Sequence, residues 1–344
     1  MYLSEVTLKN FRSYKDAHFS FDKSLTLITG KNGTGKTNLL EAVYVLLQGT
    51  SFRVGDRNMI RDGDIDWWRL DGLINHEPRQ VRYQVNHHPP KQIIERQTTK
   101  RFMYTDRLPV VLFEPTDLQL IHGSPSRRRD SLDVMLVALS SSYKTTLGRY
   151  ERALTQRNNA LKKSSVNLED QLFSWDILLS EYGVEISRAR AQLITQLNER
   201  LAGFYGEIAG ESVELSVRYS SNAGSDTDVT QYISHLHAKR QLDMLRGTTS
   251  YGPHRDDFSF ELRSNDARLT ASRGEVRTIL LSLKLAYAAL MEKTYEQKPL
   301  ILLDDVLSEL DTVRQTNLLS CFGDHQVIMT DTKSISGIKK SIKL

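Results

Sequence analysis

The chain has 344 residues, of which 39% are hydrophobic and 26% charged, a composition typical of a folded protein with about two domains. Its single cysteine, Cys321, excludes an internal disulfide and a cysteine-based zinc site within one chain. The net charge of +4 permits a polyanionic partner without requiring one. No apolar run is long enough to span a membrane and the N-terminus lacks a leader-like pattern, so we expect a cytoplasmic protein without a membrane partner.

The beginning of the chain predicts strands, a glycine-rich turn and a helix. Apolar residues alternate over Leu3–Asn10 and His18–Phe21, as they do in half-buried strands. A β-rich run, Ser24–Thr29, ends in the turn, and Asn38–Leu47 then carries apolar residues at helical spacing. Strand, glycine-rich loop and helix in this order are typical of a parallel α/β unit.

The turn matches the P-loop pattern G-x-x-x-x-G-K-[ST] at every required position. Glycines let the backbone wrap a phosphate, and N–H groups of the turn and of the following helix point at the anion. Lys36 is expected to reach the β- and γ-phosphates of a nucleotide, and the Thr37 hydroxyl to ligate Mg²⁺. The candidate nucleotide-binding residues of the turn are Gly30, Lys31, Asn32, Gly33, Thr34, Gly35, Lys36 and Thr37.

The middle of the chain changes from strands to long helices. Strand-like pieces such as Arg79–Val85 and Val110–Phe113 occur first. From Leu178 to Ile208, apolar residues then recur every three or four positions. This ladder predicts an amphipathic helix that packs antiparallel to a preceding helical stretch around Leu132–Leu161.

Strands and a helix return after a polar loop at 220–230. The predicted elements are Phe258–Arg263, Glu275–Met291, Leu300–Leu303 and Gln326–Met329. Because α/β segments lie at both ends of the chain, we expect one head made of residues 1–126 and 247–344. Residues 127–246 would form a mainly helical arm inserted into it.

Two further segments are candidates for nucleotide chemistry. The apolar run Leu300–Leu303 ends in Asp304, a candidate Mg²⁺ partner beside Thr37, and in Asp305, which could orient or deprotonate an attacking water. Ser272 and Gly274 precede a predicted helix, whose N-terminus favours an anion. One chain would hold this serine too far from its own P-loop, so the spacing favours a site shared by two copies.

Together these motifs resemble the RecF family of bacterial DNA replication and repair proteins, which belongs to the ABC-type, SMC/Rad50-like ATPase class. The resemblance covers nearly the whole chain. The matching segments are Asn10-Phe11-Arg12, the P-loop, Phe113 with Pro115, Asp117 and Leu118, Gly123–Pro125 with Arg127–Arg129 and Leu132-Asp133, Tyr251–Asp257, Ser272–Glu275 and Leu303–Asp311.

The resemblance implies an ABC-type P-loop ATPase head with ATP and Mg²⁺ as cofactors. Thr37 and Asp304 would hold the metal, and Asp305 would serve the hydrolytic water. Lys36, Ser272 and Gly274 would act on the phosphates, the last two on the nucleotide of the opposing copy. By the same resemblance, Ser308–Asp311 would lie at the dimer seam and Arg12 near the adenine or the phosphates. Glu275 stands where the family usually has Gln, and a carboxylate there is unfavourable beside phosphates unless it faces away or caps the helix.

The function that the resemblance implies is ATP-driven dimerisation on DNA by a weak, DNA-stimulated ATPase. The homodimer would clamp duplex DNA or single-/double-strand junctions at gapped or stalled forks. It would promote RecA loading with RecR and RecO, in connection with the SOS response. The alternative is a P-loop ATPase or kinase that acts on a small molecule without DNA. A GTPase is disfavoured because no N-K-x-D motif occurs, and a transporter subunit because the switch histidine is missing.

Several basic clusters are candidates for contact with DNA, although such clusters are usually solvated faces. They are Arg53 with Arg57 and Arg61, Arg127–Arg129, Arg149 with Arg152, Arg157, Lys162 and Lys163, and Lys339 with Lys340 and Lys343. No helix-turn-helix pattern is present, so DNA would be recognised by its backbone and structure rather than by base sequence. The sequence does not select one cluster.

Overall fold

A computed structural model describes residues 1–53, 55–63, 65–85, 92–94, 97–99, 102, 104–162, 168–222, 228–307, 310–333, 338 and 340–344. The chain divides into two compact units. The first comprises Met1–Asp117, Gly206–Glu211 and Leu280–Leu344, and the second Leu118–Tyr205 and Ser212–Ile279. The division into a head and an arm at residues 126/127 and 246/247 stays a prediction. Among the described residues, no helix has the length and apolarity needed to cross a membrane.

The first unit contains two sheets. Its strands are β1 Leu3–Phe11, β2 Tyr14–Ser20, β3 Leu25–Thr29, β4 Trp67–Ile74, β5 Glu77–Gln84, β6 Gln92–Ile94, β7 Gln97–Thr99, β8 Val110–Phe113, β12 Leu300–Leu303, β13 Val327–Asp331 and β14 Lys340–Lys343. One sheet is antiparallel, in the order β2-β1-β4-β5-β6-β7, and the other is parallel, in the order β14-β3-β13-β12-β8. The fold class is therefore mixed α/β, as predicted.

The parallel sheet has fully buried central strands. Every residue of β12 and β13 is buried, as expected for strands covered on both faces. The predicted strands Val110–Phe113 and Leu300–Leu303 are confirmed to the residue, and Ser24–Thr29 begins one residue later than predicted. The helix α1 Lys36–Gln48 follows β3 directly.

The core of the first unit lies between α1 and the antiparallel sheet. Leu39, Leu40 and Leu46 of α1 belong to the same buried cluster as Phe11 and Trp68. Phe11 meets the Trp68 ring edge-on, with ring centroids 5.5 Å apart. This apolar cluster fixes the face that α1 presents, and with it the position of the turn before the helix.

The second unit is mainly helical. It contains α2 Gln119–His122, α3 Pro125–Leu139, α4 Ser141–Leu161, α5 Leu168–Ala209 (up to Tyr205), α6 Val229–Arg246 and α7 Ala267–Thr270, with strands β9 Leu215–Ser220, β10 Asp257–Leu262 and β11 Asn265–Asp266. Two more helices are α8 Arg273–Tyr295 and α9 Thr312–Cys321. The strands pair antiparallel in the order β11-β10-β9. The sequence analysis did not foresee α6 or β9.

The predicted antiparallel helix pair is confirmed by contacts between α4 and α5. Thr146 Oγ1 donates to Glu185 at 2.9 Å, and Arg157 Nε donates to Asp176 at 2.7 Å. Residue numbers increase along α4 as those of their partners decrease along α5, so the two helices are antiparallel. The preceding helical stretch is two helices rather than one, because Ser140 caps α4 by accepting from the Tyr143 N–H.

Two arginines of the predicted surface clusters are buried, so that prediction is wrong for them. Arg157 is fully buried and binds Asp176 and Asp243, each at 2.7 Å. Arg128 is also buried and binds Asp257 through two N–H groups. Each buried guanidinium has a carboxylate partner because an unpaired charge inside a protein is strongly destabilising.

A partly buried histidine, His254, lies within the second unit. One ring nitrogen of His254, Nδ1, lies 2.6 Å from the Tyr150 hydroxyl, and Nε2 lies 2.9 Å from the Thr249 carbonyl oxygen. Burial lowers the pKa of His254 to about 4. Gly252 has φ +129° beside it, and a Cβ there would lie 2.1 Å from the Tyr232 hydroxyl, so a larger residue does not fit.

We expect stability to fall as pH is lowered from about 6.5 to 4. In this pH window, His254 binds a proton in the unfolded chain but not in the folded protein. The free energy of unfolding therefore decreases as the pH decreases. At pH 4 this group has lowered it by about 3 kcal/mol. Denaturant unfolding across this range measures it. His254→Gln should lose correspondingly less stability between pH 6.5 and 4, and parallel curves for the two proteins would contradict the prediction.

Candidate nucleotide-binding site

The glycine-rich turn joins β3 to α1, as predicted. Gly33 and Gly35 have φ +84° and +104°, values that favour glycine. Gly35 is the N-cap of α1, and no side chain among the described residues caps it. The first N–H groups of α1 therefore lack a side-chain acceptor, which suits a phosphate at this helix end.

The turn between β1 and β2 packs against the start of α1. A Cβ on Gly35 would lie 2.9 Å from Ser13 Oγ and 3.0 Å from the Tyr14 hydroxyl. The Tyr14 hydroxyl donates to the Gly35 carbonyl, and Asn38 donates to Ser13. Burial raises the pKa of Tyr14 to about 12, so the phenol remains a hydrogen-bond donor at neutral pH. The sequence analysis missed this support.

The Lys36 side chain folds back over the turn. Its Nζ donates to the carbonyl oxygens of Gly30 at 2.6 Å and Lys31 at 3.0 Å. The ammonium has three donors, and it lies within the loop whose backbone would hold the phosphates. This is the location expected for a lysine that neutralises phosphate charge.

Thr37 and Asp304, the first of the two predicted acids, come together across the parallel sheet. Thr37 Oγ1 lies 3.0 and 2.9 Å from the two carboxylate oxygens of Asp304. Thr330, at the end of β13, donates to Asp304 at 2.8 Å and accepts from the N–H of Asp305. Asp305 has φ +51°, and a non-glycine residue in this region stores strain of about 1–3 kcal/mol.

The oxygen atoms of Thr37 and Asp304 fit Mg²⁺, which prefers hard oxygen ligands and keeps several positions for water or phosphate. Among the described residues, no group of three or more His, Cys, Asp or Glu side chains could hold a metal. With one hydroxyl and one carboxylate, Thr37 and Asp304 suit an ion that also takes nucleotide oxygens. The sequence analysis assigned no role to Thr330, because a threonine at a strand end carries no specific pattern.

Arg12 is anchored by a carboxylate that the sequence analysis did not single out. Glu41 on α1 is fully buried and accepts from Arg12 Nε at 2.9 Å and Nη2 at 2.7 Å. Arg12 Nη1 donates to the Asn58 carbonyl, and Ser51 Oγ donates to Glu41. The sequence signal that could have identified Glu41 is its position as an acid within the apolar run of α1. Arg12 is thus held in one orientation near the start of α1.

Ser272 and Gly274 belong to the second unit, at the start of α8. The Ser272 N–H donates to Glu275 at 2.8 Å, and Ser272 Oγ accepts from the Glu275 N–H at 3.3 Å, which is a capping box. Arg263 donates to the other Glu275 oxygen at 2.7 Å. Burial alone would raise the pKa of Glu275, but the bonds from Arg263 and Ser272 outweigh it and hold the pKa below its usual value. Ser308 and Glu309 lie outside the described residues.

The chain is similar in sequence and in fold to known proteins. A family model described as AAA ATPase domain matches residues 1–173. Similar sequences include the DNA replication and repair protein RecF of Bacillus cytotoxicus and that of Bacillus mycoides, each 35% identical over 98% of this chain and 94% of the relative.

Solved structures of similar fold include the recombination mediator protein RecF of the RecFOR pathway. The RecF–ATPrS structure is 29% identical and has a TM-score of 0.87, over 100% of this chain and 96% of its own. The RecF–ATP structure is 30% identical and has a TM-score of 0.84, over 98% and 93%. An SMC head bound to the C-winged helix domain of ScpA shares the fold, with a TM-score of 0.55, 15% identity and coverage of 97% and 90%.

We expect Glu41→Ala to lower the free energy of unfolding by about 3 kcal/mol, because the Arg12 guanidinium loses its buried carboxylate. The matched control is Asp16→Ala, which removes a carboxylate from the exposed Lys9–Asp16 pair of the β1–β2 hairpin. This change should alter stability by less than about 0.5 kcal/mol. Denaturant unfolding of the three proteins measures both effects, and equal losses would contradict the assignment of Glu41 as a structural anchor.

Proposed function

The chain belongs to the RecF family of DNA replication and repair proteins, and on that premise we propose that it is a weak, DNA-stimulated ATPase whose ATP-bound form dimerises on DNA. The observation that carries the proposal is the contact of Thr37 with Asp304, which brings a P-loop hydroxyl and a strand-end carboxylate together. Such a pair serves nucleotide-bound Mg²⁺ in P-loop ATPases. The alternative of a small-molecule kinase without DNA has no comparable support from the relatives.

In the proposed mechanism, each side chain of the P-loop region has a separate task. The backbone of Gly30–Thr37 wraps the phosphates, and Lys36 neutralises their charge. Thr37 and Asp304 would hold Mg²⁺, which would withdraw negative charge from the phosphates. Asp305 orients the attacking water and accepts its proton.

Arg12 is proposed to lie beside the nucleotide. Within the described structure, three of its five N–H donors serve Glu41 and Asn58. The guanidinium is therefore fixed in orientation and keeps two donors for a ring nitrogen of adenine or for a phosphate oxygen. A prearranged cation loses less conformational entropy on binding than a mobile one.

The site is proposed to be completed by a second copy. Ser272 and Gly274 of one copy would contact the γ-phosphate held by the other, and Ser308–Asp311 would line the seam. The capping box at Ser272 supports this role because it orders the start of α8. Hydrolysis would then separate the copies and release DNA.

The proposal extends to partners by family resemblance. The dimer would clamp duplex DNA or a single-/double-strand junction at a gapped or stalled fork. It would act with RecR and RecO to load RecA, in connection with the SOS response, and the protein would work in the cytoplasm. The relatives support these partners through their place in the RecFOR pathway.

Glu275 remains compatible with a nearby phosphate because its charge is neutralised. One carboxylate oxygen binds the backbone of Ser272, and the other binds Arg263, which has φ +51° in the two-residue turn between β10 and β11. Ser264, the next residue of the turn, also has positive φ. Such a turn favours Asn-Gly. Arg263 and Ser264 therefore adopt a strained backbone conformation in the turn that positions this arginine.

ATP-dependent dimerisation tests the shared site. With ATP and Mg²⁺, light scattering should show dimers of the wild type and of Asp305→Asn, the latter persisting longer because hydrolysis is slowed. Lys36→Ala and Ser272→Arg should raise the dimer dissociation constant by about tenfold or more, because each removes a phosphate contact. Lys15→Ala, an exposed lysine on β2, is the control. Dimerisation that is indifferent to all these changes would exclude the shared site.

The neutralising role of Arg263 predicts a specific rescue. Arg263→Ala should weaken ATP-dependent dimerisation by about tenfold, because an unpaired carboxylate would face phosphate. Adding Glu275→Gln removes that charge and should restore dimerisation to within about twofold of the wild type. Arg218→Ala, which breaks the exposed pair with Glu261 on the same sheet, is the control. A double variant no better than Arg263→Ala would contradict the role.

A further inference from the structure

The exposed face of α4 carries most of its charge as arginine and lysine. Lys144, Arg149 and Arg152 are exposed on the helix, and Lys162 is exposed directly after it. Glu151 is the one exposed acid of α4, all of whose residues the structure describes. At 1.5 Å per residue, these cations extend over about 27 Å, which is the rise of about eight base pairs along the axis of a DNA duplex.

The remaining side chains of this face are small and polar. The exposed neutral residues are Ser141, Ser142, Thr145, Thr155, Gln156 and Asn159. Hydroxyl and amide groups donate to phosphate oxygens in many protein–DNA contacts. Aromatic and large apolar anchors, which protein interfaces and single-strand binders use, are not among the exposed residues of α4. The composition therefore favours a duplex backbone over a protein partner or stacked single strands.

The neighbouring helix has the opposite charge. On the part of α5 in the second unit, the exposed acids are Glu169, Asp170, Glu181, Glu185 and Glu199. They outnumber the exposed bases Arg188 and Arg200. The basic character of α4 therefore does not extend onto α5, the helix packed against it.

Three arginines of two other predicted basic clusters are engaged within the protein. Arg128 binds Asp257, and Arg129 donates to the Asp256 carbonyl. Arg53 contacts Glu41 and Asn38. Arg149 and Arg152, by contrast, ion-pair with no carboxylate among the described residues.

We propose that the exposed face of α4 is a sequence-independent binding surface for the phosphate backbone of duplex DNA. This proposal rests on the proposed function, in which DNA is the partner. It adds the identity of the surface that contacts the DNA. Arg149 and Arg152 contribute the principal phosphate contacts. Release of the counterions that these phosphates hold drives the association.

The test is a salt titration of DNA binding by the full chain with ATP and Mg²⁺. Arg149→Ala/Arg152→Ala should weaken binding to a duplex of about 30 base pairs by about tenfold at about 0.1 M salt. It should also reduce the slope of log Kd against log salt by about 1.8, which corresponds to two lost phosphate contacts. Arg149→Lys/Arg152→Lys should retain the wild-type slope, and a single strand of equal length should bind more weakly than the duplex.

The matched control is Arg188→Ala/Arg200→Ala on α5, which removes the same net charge from the same unit. It should change the duplex affinity by less than about twofold. Equal affinities and slopes for the two alanine pairs would overturn the proposal while leaving DNA binding intact. A wild-type protein that binds no DNA would instead reject the proposed function. Thermal unfolding and ATP-dependent dimerisation check that the variants are folded.

Discussion

The hydrogen bond between Thr37 and Asp304 joins residues 267 positions apart. It depends on the strand order of the parallel sheet, in which β13 lies between β3 and β12. The P-loop follows β3 and the acids follow β12, so the carboxyl ends of these strands bring both to one edge. Thr330 fills the gap between them, because β13 ends between the two. The candidate site is thus a consequence of sheet topology.

Much of this arrangement was predictable from the sequence because it follows from local patterns. The P-loop has a fixed spacing, and β12 reads as an apolar run that ends in two acids. The contacts around the site were less predictable, since Glu41 and Thr330 act through partners that are distant in the sequence. Arg157 shows the same limit, because only the fold reveals that its two carboxylate partners lie on other helices.

Burial, and not the net charge of the chain, determines which arginines of this protein are available at its surface. The small net surplus of the whole chain says little, but the second unit turns Arg157 and Arg128 inward toward carboxylates. On the outside of this unit, a basic α4 packs beside an acidic α5. A short run of arginines in a sequence therefore combines residues with different roles. Because the run is helical, some of these arginines face the interior and others face solvent.

The pairing of β3 with β13 and β14 has a consequence for biosynthesis. Among the described strands, these are the ones that hydrogen-bond to β3, and both are translated after α5. While the ribosome is still making α5, the P-loop strand has no sheet to join. The nascent chain must therefore keep an apolar strand from aggregating until β13 and β14 emerge. Loss of the segment from Val327 onward would leave the first unit without two strands of its parallel sheet.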